Sequence, residues 1–336
     1  MFTLLRKYIP VRYKQTIANT LQKLQYIVLK ILLTPIETIS GRYITFHMRP
    51  KYARDVRIVS HETTKDYSEC AIAIQGPVVL ANRFTMETLL LYKKYFPGAL
   101  LILSVWEDED PTTLAEARTA GIDVVLSKNL PHGGPININR QITTSRAGVE
   151  HARERGGTYI LKTRSDQRMY SPALLSYLLH LLTCFPPYDA HARGRIIGMS
   201  ANNARKKLYQ FPDHVSFGYA EDMSAYWSAP LIEDPNIVLP FFQAERPFTA
   251  EAYLCSEYAK KLGLTVGNSE GDYLSLLGRY FAIADVSALD WYWYKRGSAY
   301  RRFSEHREFV YTQRRDEKLD FAQWLELYTK ERRKSS

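Results

Sequence analysis

From Cys70 onward, short apolar runs alternate with segments in which apolar residues recur at three- and four-residue steps. The runs are typical of strands in a covered sheet, and the segments between them have the period of helices. We predict strands at 70–74, 99–105, 123–126, 158–162 and 195–199. We predict helices at 84–95, 111–119, 138–155, 173–184 and 251–262. This order predicts an α/β fold with a Rossmann-type, mainly parallel sheet flanked by helices.

The first 60 residues follow a different pattern, an apolar stripe with basic flanks. The stripe consists of Ile17, Leu21, Leu24, Val28 and Leu32, and its basic flanks are Lys14, Lys23 and Lys30. This pattern predicts an N-terminal amphipathic helix, which lies in a membrane interface or packs on the protein's own core. The sequence leaves both options open.

The net charge of +10 is concentrated at the N-terminus, because residues 1–60 hold eleven Lys or Arg against two acids. Such a segment suits an anionic membrane surface, and we expect no nucleic acid partner because no nucleic-acid-binding motif accompanies the charge. No apolar run of about 18 residues predicts a spanning helix, and none precedes a secretory cleavage site. Three widely spaced cysteines predict neither disulfides nor a zinc site. We therefore expect a cytoplasmic protein, peripheral on the inner membrane.

Arg164-Ser165-Asp166 follows the fourth predicted strand, at the edge of the sheet where α/β proteins bind ligands. A carboxylate there can hold Mg²⁺ or Mn²⁺ on a diphosphate, so we predict Asp166 as a metal ligand. Arg164 is expected to contact the same phosphates. The alternative is structural: Asp166 caps a following helix or pairs with Arg168.

Two further segments have the chemistry of a nucleotide site. Gln75-Gly76-Pro77 ends the first strand, where a base and ribose would lie, although it also has the form of a simple turn. Asn139-Arg140-Gln141 begins a helix after a Gly-rich loop, a position that suits a diphosphate. Arg140 as an ordinary exposed charge is the alternative.

A base that takes the proton of an acceptor hydroxyl would be a carboxylate or a histidine. Glu251, at the start of a predicted helix, and Asp222, in the pair Glu221-Asp222, are the candidates, although acids at such positions commonly cap helices. The aromatic run Trp291-Tyr292-Trp293-Tyr294 would stack on sugar rings, lie at a membrane interface or serve packing.

Several short motifs occur in an order that resembles a known family. They are Ile74-Gln75-Gly76-Pro77, Phe96-Pro97-Gly98, Leu103-Ser104-Val105-Trp106, Asn139-Arg140-Gln141, Arg164-Ser165-Asp166 and His214-Val215-Ser216-Phe217-Gly218. Over about residues 70–260 they resemble the WavE family of bacterial lipopolysaccharide-synthesis proteins. The stretch that ends at Asp166 also resembles GT-A glycosyltransferases, in which a helix and a strand lead to a D-x-D-type motif. Here Arg164 stands in place of the first acid, so it is expected to take over part of the role of the cation.

The resemblance implies a GT-A fold, a nucleotide-sugar donor and a lipid-linked saccharide acceptor, such as the lipopolysaccharide core. We therefore predict a glycosyltransferase domain at 68–285, with a nucleotide-sugar half (68–170) and an acceptor half (171–285). A basic segment (1–60) precedes it, and an aromatic and charged helical extension (286–336) follows.

Two other functions remain as alternatives. One is a sugar nucleotidyltransferase on the same fold, although residues 75–79 lack the Gly-rich loop with a Lys or Arg that such enzymes place after the first strand. The other is a non-catalytic module that binds membranes or polyanions.

Overall fold

A computed structural model describes residues 11–41, 49–56, 65–201, 203, 205–234, 237, 248–294 and 319–335. The chain divides into two units, residues 1–49 and residues 50–336. Each unit is described by itself.

The first unit contains helix α1 (Val11–Ser40), which includes Pro35. The helix is amphipathic as predicted, and seven large apolar side chains are exposed. They are Leu24, Ile27, Val28, Ile31, Leu32, Ile36 and Ile39. The side chains of Ile17 and Leu21 lie outside the described residues. Among the described residues, no helix has the length and hydrophobicity needed to span a membrane.

A seven-stranded sheet forms the centre of the second unit. Its strands are β1 (Cys70–Gln75), β2 (Leu100–Trp106), β3 (Asp123–Ser127), β4 (Tyr159–Arg164), β6 (Ile196–Met199), β7 (Ser216–Tyr219) and β8 (Phe281–Ala284), in the order β3-β2-β1-β4-β7-β6-β8. Strands β3, β2, β1 and β4 are parallel, β7 is antiparallel to both of its neighbours, and β6 and β8 are parallel. The predicted α/β fold with a mainly parallel sheet is confirmed.

The other helices cover or border this sheet. They are α2 (Phe84–Tyr95), α3 (Pro111–Thr119), α4 (Ile138–Glu154), α5 (Leu174–Cys184), α6 (Ala220–Trp227), α7 (Ala250–Lys261), α8 (Glu270–Tyr280), the short α9 (Val286–Leu289) and α10 (Phe321–Ser335). Helix α4 packs across β1, β2 and β4. Gly148 permits this close packing, since a Cβ atom there would lie 3.0 Å from the Ser104 Cβ and 3.2 Å from the Ala73 Cβ.

The C-terminal part of the chain packs against the rest of this unit through a second, two-stranded sheet and through a helix. Strand β9 (Trp291–Trp293) pairs antiparallel with β5 (Gln167–Met169), which follows β4 directly. Helix α10 packs on α8, and its fully buried Trp324 donates a hydrogen bond to the Phe281 carbonyl at 2.8 Å. Residues 295–318, within the predicted extension, lie outside the described residues.

Candidate functional site

A cleft of about 1000 Å³ opens at the edge of the sheet where β1, β2 and β4 end. We call it the strand-end cleft. It is lined by residues 75–81, Trp106, 136–137, 140–141, Thr144, 164–166 and Tyr294. Of the predicted binding and metal residues, only Asn139 is absent from this lining. The cleft therefore brings together three segments that are separated in sequence.

The ends of β1 and β4 are joined side by side at the floor of the cleft. Gln75 is 4% exposed and accepts a hydrogen bond from the Thr144 hydroxyl at 2.8 Å. Gly76 has φ +104°, and a Cβ atom there would lie 3.2 Å from the Ser165 Oγ. The Ser165 hydroxyl in turn donates to the Pro77 carbonyl at 2.6 Å. A glycine at position 76 thus allows both the turn and the close approach of the two loops.

Arg164 and Asp166 form a two-fold hydrogen-bonded pair at the end of β4. The guanidinium donates to the two carboxylate oxygens at 2.9 and 3.1 Å, and the Trp293 indole N–H donates to Asp166 at 2.8 Å. Burial by itself would raise the pKa of Asp166, but the hydrogen bonds and charge of Arg164 hold it below its ordinary value. Asp166 therefore stays ionised and holds Arg164 in one orientation.

The structural alternatives for Asp166 do not apply. The next helix, α5, has Ala173 at its N-cap, without a side-chain cap. Arg168 is buried and donates instead to the Thr88 hydroxyl and the Lys51 carbonyl, each at 2.9 Å.

The cleft offers a divalent cation a single carboxylate, and that carboxylate is already paired. Both Asp166 oxygens already accept hydrogen bonds, and Asp166 is the one acidic residue that lines the cleft within the described chain. The described residues also contain no group of three or more His, Cys, Asp or Glu side chains that could hold a metal ion. The positive charge beside this carboxylate is a guanidinium.

The three residues at the start of α4 serve different ends. Asn139 is 2% exposed and pairs through both amide atoms with the backbone of Ile232, at 2.8 Å each, so it clamps two segments together. Arg140 lines the cleft and is exposed, and its guanidinium has no hydrogen-bond or ion-pair partner among the described residues. Gln141 lines the cleft and donates to the Asp213 carboxylate.

At the start of α4 the backbone amides are already hydrogen-bonded, so a ligand in the cleft meets side chains of this helix and not its amides. The amides of residues 137, 138 and 139 already donate to carbonyls of the preceding loop. Ile136 and Asn137 adopt positive φ values of 47° and 65°, an unusual conformation for a β-branched residue such as Ile136. The Arg140 guanidinium is therefore the group that α4 presents to an anion.

Asp213 and His214 form a buried pair next to the cleft that the sequence did not predict. The carboxylate binds His214 Nδ1 at 2.7 Å, and its second oxygen accepts a hydrogen bond from Gln141 Nε2. Lys162, fully buried on β4, donates to the Asp213 carbonyl at 2.7 Å and lies 4.1 Å from the centre of the Trp227 ring. Burial lowers the pKa of Lys162 to about 7. A lysine inside an apolar strand was the one signal of this cluster in the sequence.

The two predicted bases lie in different environments. Glu251 lies in the first turn of α7. Burial acts to lower the pKa of Arg164, but Asp166 raises it above its ordinary value, and the charge of Glu251 makes a smaller contribution in the same direction. Asp222 lies in the first turn of α6, directly after β7. Tyr219, at the end of β7, pairs with Tyr159 at the start of β4, so Asp222 lies at the edge of the sheet opposite the cleft.

Asp222 has a structural role in this position. Its carboxylate accepts backbone hydrogen bonds from Arg193 at 3.2 Å and Gly194 at 2.7 Å, and burial raises its pKa to about 6. It caps a loop far from the strand-end cleft, so we do not propose it as a base.

Comparison with known proteins gives the family. The model for WavE lipopolysaccharide synthesis matches residues 70–263, which is more than half of the chain. The chain belongs to the WavE family. The matched segment begins at β1 and includes every residue of the strand-end cleft except Tyr294, so the family region and the cleft coincide. The resemblance to the WavE family is confirmed.

Other comparisons add little to the family match. No curated protein matches the chain. One similar solved structure is described as a glucose-1-phosphate thymidylyltransferase from Bacillus anthracis in complex with a sucrose. It has 10% sequence identity and a TM-score of 0.34, and the match covers 71% of this chain and 92% of that chain.

Proposed function

We propose that this WavE family member is a glycosyltransferase that moves a sugar from a nucleotide-diphosphate donor to a lipopolysaccharide-core or other surface-polysaccharide acceptor. The observation that carries the proposal is the charge of the strand-end cleft. Two guanidiniums, those of Arg140 and Arg164, face it against one carboxylate that is already paired. The position of the cleft at the carboxyl ends of parallel strands and the size of the cleft suit a nucleotide sugar.

The two arginines supply what the leaving diphosphate requires. Glycosyl transfer builds negative charge on the diphosphate as the sugar departs, and prepositioned cationic donors stabilise that charge. Arg164 is held in place by Asp166, while the Arg140 guanidinium is unpaired within the part of the chain that the structure describes. Gln75, Gly76 and the loop after β1 would line the nucleotide. Because the one carboxylate that lines the cleft is paired with Arg164, we propose that transfer needs no divalent cation.

The acceptor side of the proposal rests on exposed apolar surfaces. Leu80 and Ile136 line the cleft and are 58% and 66% exposed, which suits a ligand with a lipid part. Helix α1 independently exposes an apolar face, and the N-terminal segment is strongly basic. We propose that the protein binds the anionic surface of the inner membrane peripherally, where a lipid-linked acceptor is available.

The nucleotidyltransferase alternative finds no support in the cleft. Such enzymes need a Lys or Arg in the loop after the first strand, but in this chain the loop after β1, residues 76–81, carries no basic side chain. Arg83, just beyond, pairs with Glu116 and Glu87.

Calorimetry on the full chain with UDP, GDP and ADP tests the proposal. We expect one of these nucleotides to bind with the same affinity in EDTA and in Mn²⁺. Arg140→Ala should weaken binding about 10- to 100-fold, the loss of a charge-assisted hydrogen bond of roughly 1.5–3 kcal/mol. Arg153→Ala is the matched control, because Arg153 lies on the same helix and pairs with Glu150 at 2.8 Å.

The outcomes separate the alternatives. Absence of binding to all three nucleotides would refute the glycosyltransferase and favour the non-catalytic module. Binding that disappears in EDTA would refute the cation-independent part alone.

A further inference from the structure

We propose that His214 is the catalytic base that takes the proton from the acceptor hydroxyl, and that Asp213 is its positioning residue. This inference rests on the proposed glycosyl transfer. It assigns a role to a pair of side chains that lies beside the strand-end cleft and has no part in holding the donor.

The position of His214 follows from the strand register. Lys162 of β4 pairs with Ser216 of β7, and the two strands are antiparallel. Two residues further along β4 is Arg164, at the cleft, and two residues before Ser216 is His214. Both residues therefore lie at the same edge of the sheet.

Aromatic contacts join His214 to the donor-binding pair. The His214 ring lies edge-on to Trp293, with ring centres 4.7 Å apart, and the indole N–H of Trp293 binds Asp166. His214 is thus one side chain away from the residues that hold the diphosphate.

The pair has the geometry of a histidine prepared to accept a proton. Asp213 is 5% exposed and binds His214 Nδ1 at 2.7 Å, which fixes Nδ1 as the protonated nitrogen and leaves Nε2 as the acceptor. Nε2 has no partner among the described residues, and the residue keeps a 9% exposed fraction. A carboxylate at Nδ1 and an open Nε2 recur in catalytic bases.

Asp213 is itself held in place from two sides. Gln141 donates to its second carboxylate oxygen, and Lys162 donates to its backbone carbonyl at 2.7 Å. Burial acts to raise the pKa of Asp213, but His214, Lys162 and Arg164 together hold it well below its ordinary value. Because Gln141 also lines the cleft, a ligand there contacts the support of the base directly.

The reaction step balances as follows. The acceptor oxygen forms a bond to the anomeric carbon while its proton passes to His214 Nε2. The bond from the anomeric carbon to the diphosphate oxygen breaks, and the electron pair leaves with the diphosphate, whose charge Arg140 and Arg164 stabilise. Asp213 stabilises the imidazolium, which then releases its proton to water.

The chain contains a second Asp–His pair that serves as a control. His151 Nε2 binds Asp123 at 2.7 Å, the same distance, but those side chains are 31% and 28% exposed. Asp123 begins β3 and His151 lies in the last turn of α4, away from the strand-end cleft. The two pairs share their chemistry and differ in location.

The test compares His214→Gln with His151→Gln in the full chain. UDP-, GDP- and ADP-sugars are supplied with lipopolysaccharide core oligosaccharide, and release of the nucleoside diphosphate is followed over a range of pH. We expect His214→Gln to keep nucleotide affinity within about twofold while its transfer rate falls about 10²- to 10⁴-fold. The acid limb of its pH–rate profile should disappear, and His151→Gln should behave as the wild type does.

The pH profile includes the charges around His214. Asp213 contacts it, Lys162 and Arg164 approach from β4, and Asp166 lies beyond Trp293. Imidazole added to His214→Gly should restore part of the lost rate, which a purely structural role would not allow.

Three results would overturn the assignment. One is a His214→Gln rate within about threefold of the wild type. Another is a rate loss matched by an equal loss of nucleotide affinity, and the third is a wild-type chain that binds no nucleoside diphosphate, which also refutes the proposed function. If His214→Gln does not fold, diethyl pyrocarbonate on the wild type replaces it. Inactivation should then follow modification of His214, and inactivation that follows His151 would refute the proposal.

Discussion

Lys162 gives the clearest test of the buried polar cluster that it forms with Asp213 and His214 next to the strand-end cleft. It is fully buried, and burial lowers its pKa from 10.5 to about 7. Between these values the unfolded chain holds a proton that the folded chain has released, so the free energy of unfolding rises with pH. We expect Lys162→Met to remove this rise.

The size of the effect follows from the two pKa values. Each pH unit in which only the unfolded state binds the proton contributes about 1.36 kcal/mol. From about pH 6 to about pH 9, Lys162 should add roughly 2.5 kcal/mol to the free energy of unfolding. Above that range the buried Tyr209, whose pKa is raised to about 12, acts in the opposite direction. Asp222 contributes equally to wild type and variant, so it cancels in the comparison.

Urea unfolding followed by tryptophan fluorescence measures the difference. The wild type and Lys162→Met are compared at several pH values between about 6 and 9, with Lys260→Met, a substitution of a 59% exposed lysine, as the control. The loss of the Asp213 carbonyl's partner lowers the stability of Lys162→Met at every pH, so the slope is the informative quantity. Equal slopes in wild type and Lys162→Met would refute the lowered pKa.

Two further predictions concern α4 and α1. Asn139→Ala leaves the Ile232 N–H and carbonyl unpaired, so it should lower the free energy of unfolding by about 2–4 kcal/mol with donor affinity unchanged. Thermal unfolding measures the loss of stability, with Asn129→Ala at an exposed position as the control. A loss of nucleotide binding without a loss of stability would contradict the structural role of Asn139. Ile31→Glu should weaken binding to anionic liposomes about tenfold in flotation, while Thr34→Glu on the same helix adds the same charge and serves as the control. Equal binding by the two variants would refute a role for the apolar face.

The parallel half of the sheet was predictable because its strands are local apolar runs. Strands β1 to β4 were recognised from composition and from the turns that end them, and the cleft residues at those ends followed. Of the five strands with three or four residues, β6 was predicted (195–199), but β5, β7, β8 and β9 were not, because so few residues give a weak periodic signal. Their partners are set by tertiary pairing, which the local sequence does not encode.

The positions of the site residues depend on the same tertiary pairing. Asn139 and Arg140 are adjacent in sequence, but successive residues of a helix point about 100° apart, so one clamps Ile232 while the other lines the cleft. Asp222 lies at the edge opposite the strand-end cleft because β7 runs antiparallel to β4, which the four residues of β7 do not reveal. Trp293 was seen as an aromatic residue, but its bond to Asp166 depends on the pairing of β5 with β9.

That pairing has a consequence for synthesis of the chain on the ribosome. Asp166 and Trp293 are 127 positions apart, so the carboxylate that orients Arg164 lacks its indole donor until the chain is nearly complete. The sheet, by contrast, begins with four strands that all precede residue 165. The nascent protein can thus form the parallel β1–β4 part of its sheet early and complete the strand-end cleft late. A shortened product that ends with the family match at residue 263 would lack both the indole donor of Trp293 and the cleft residue Tyr294.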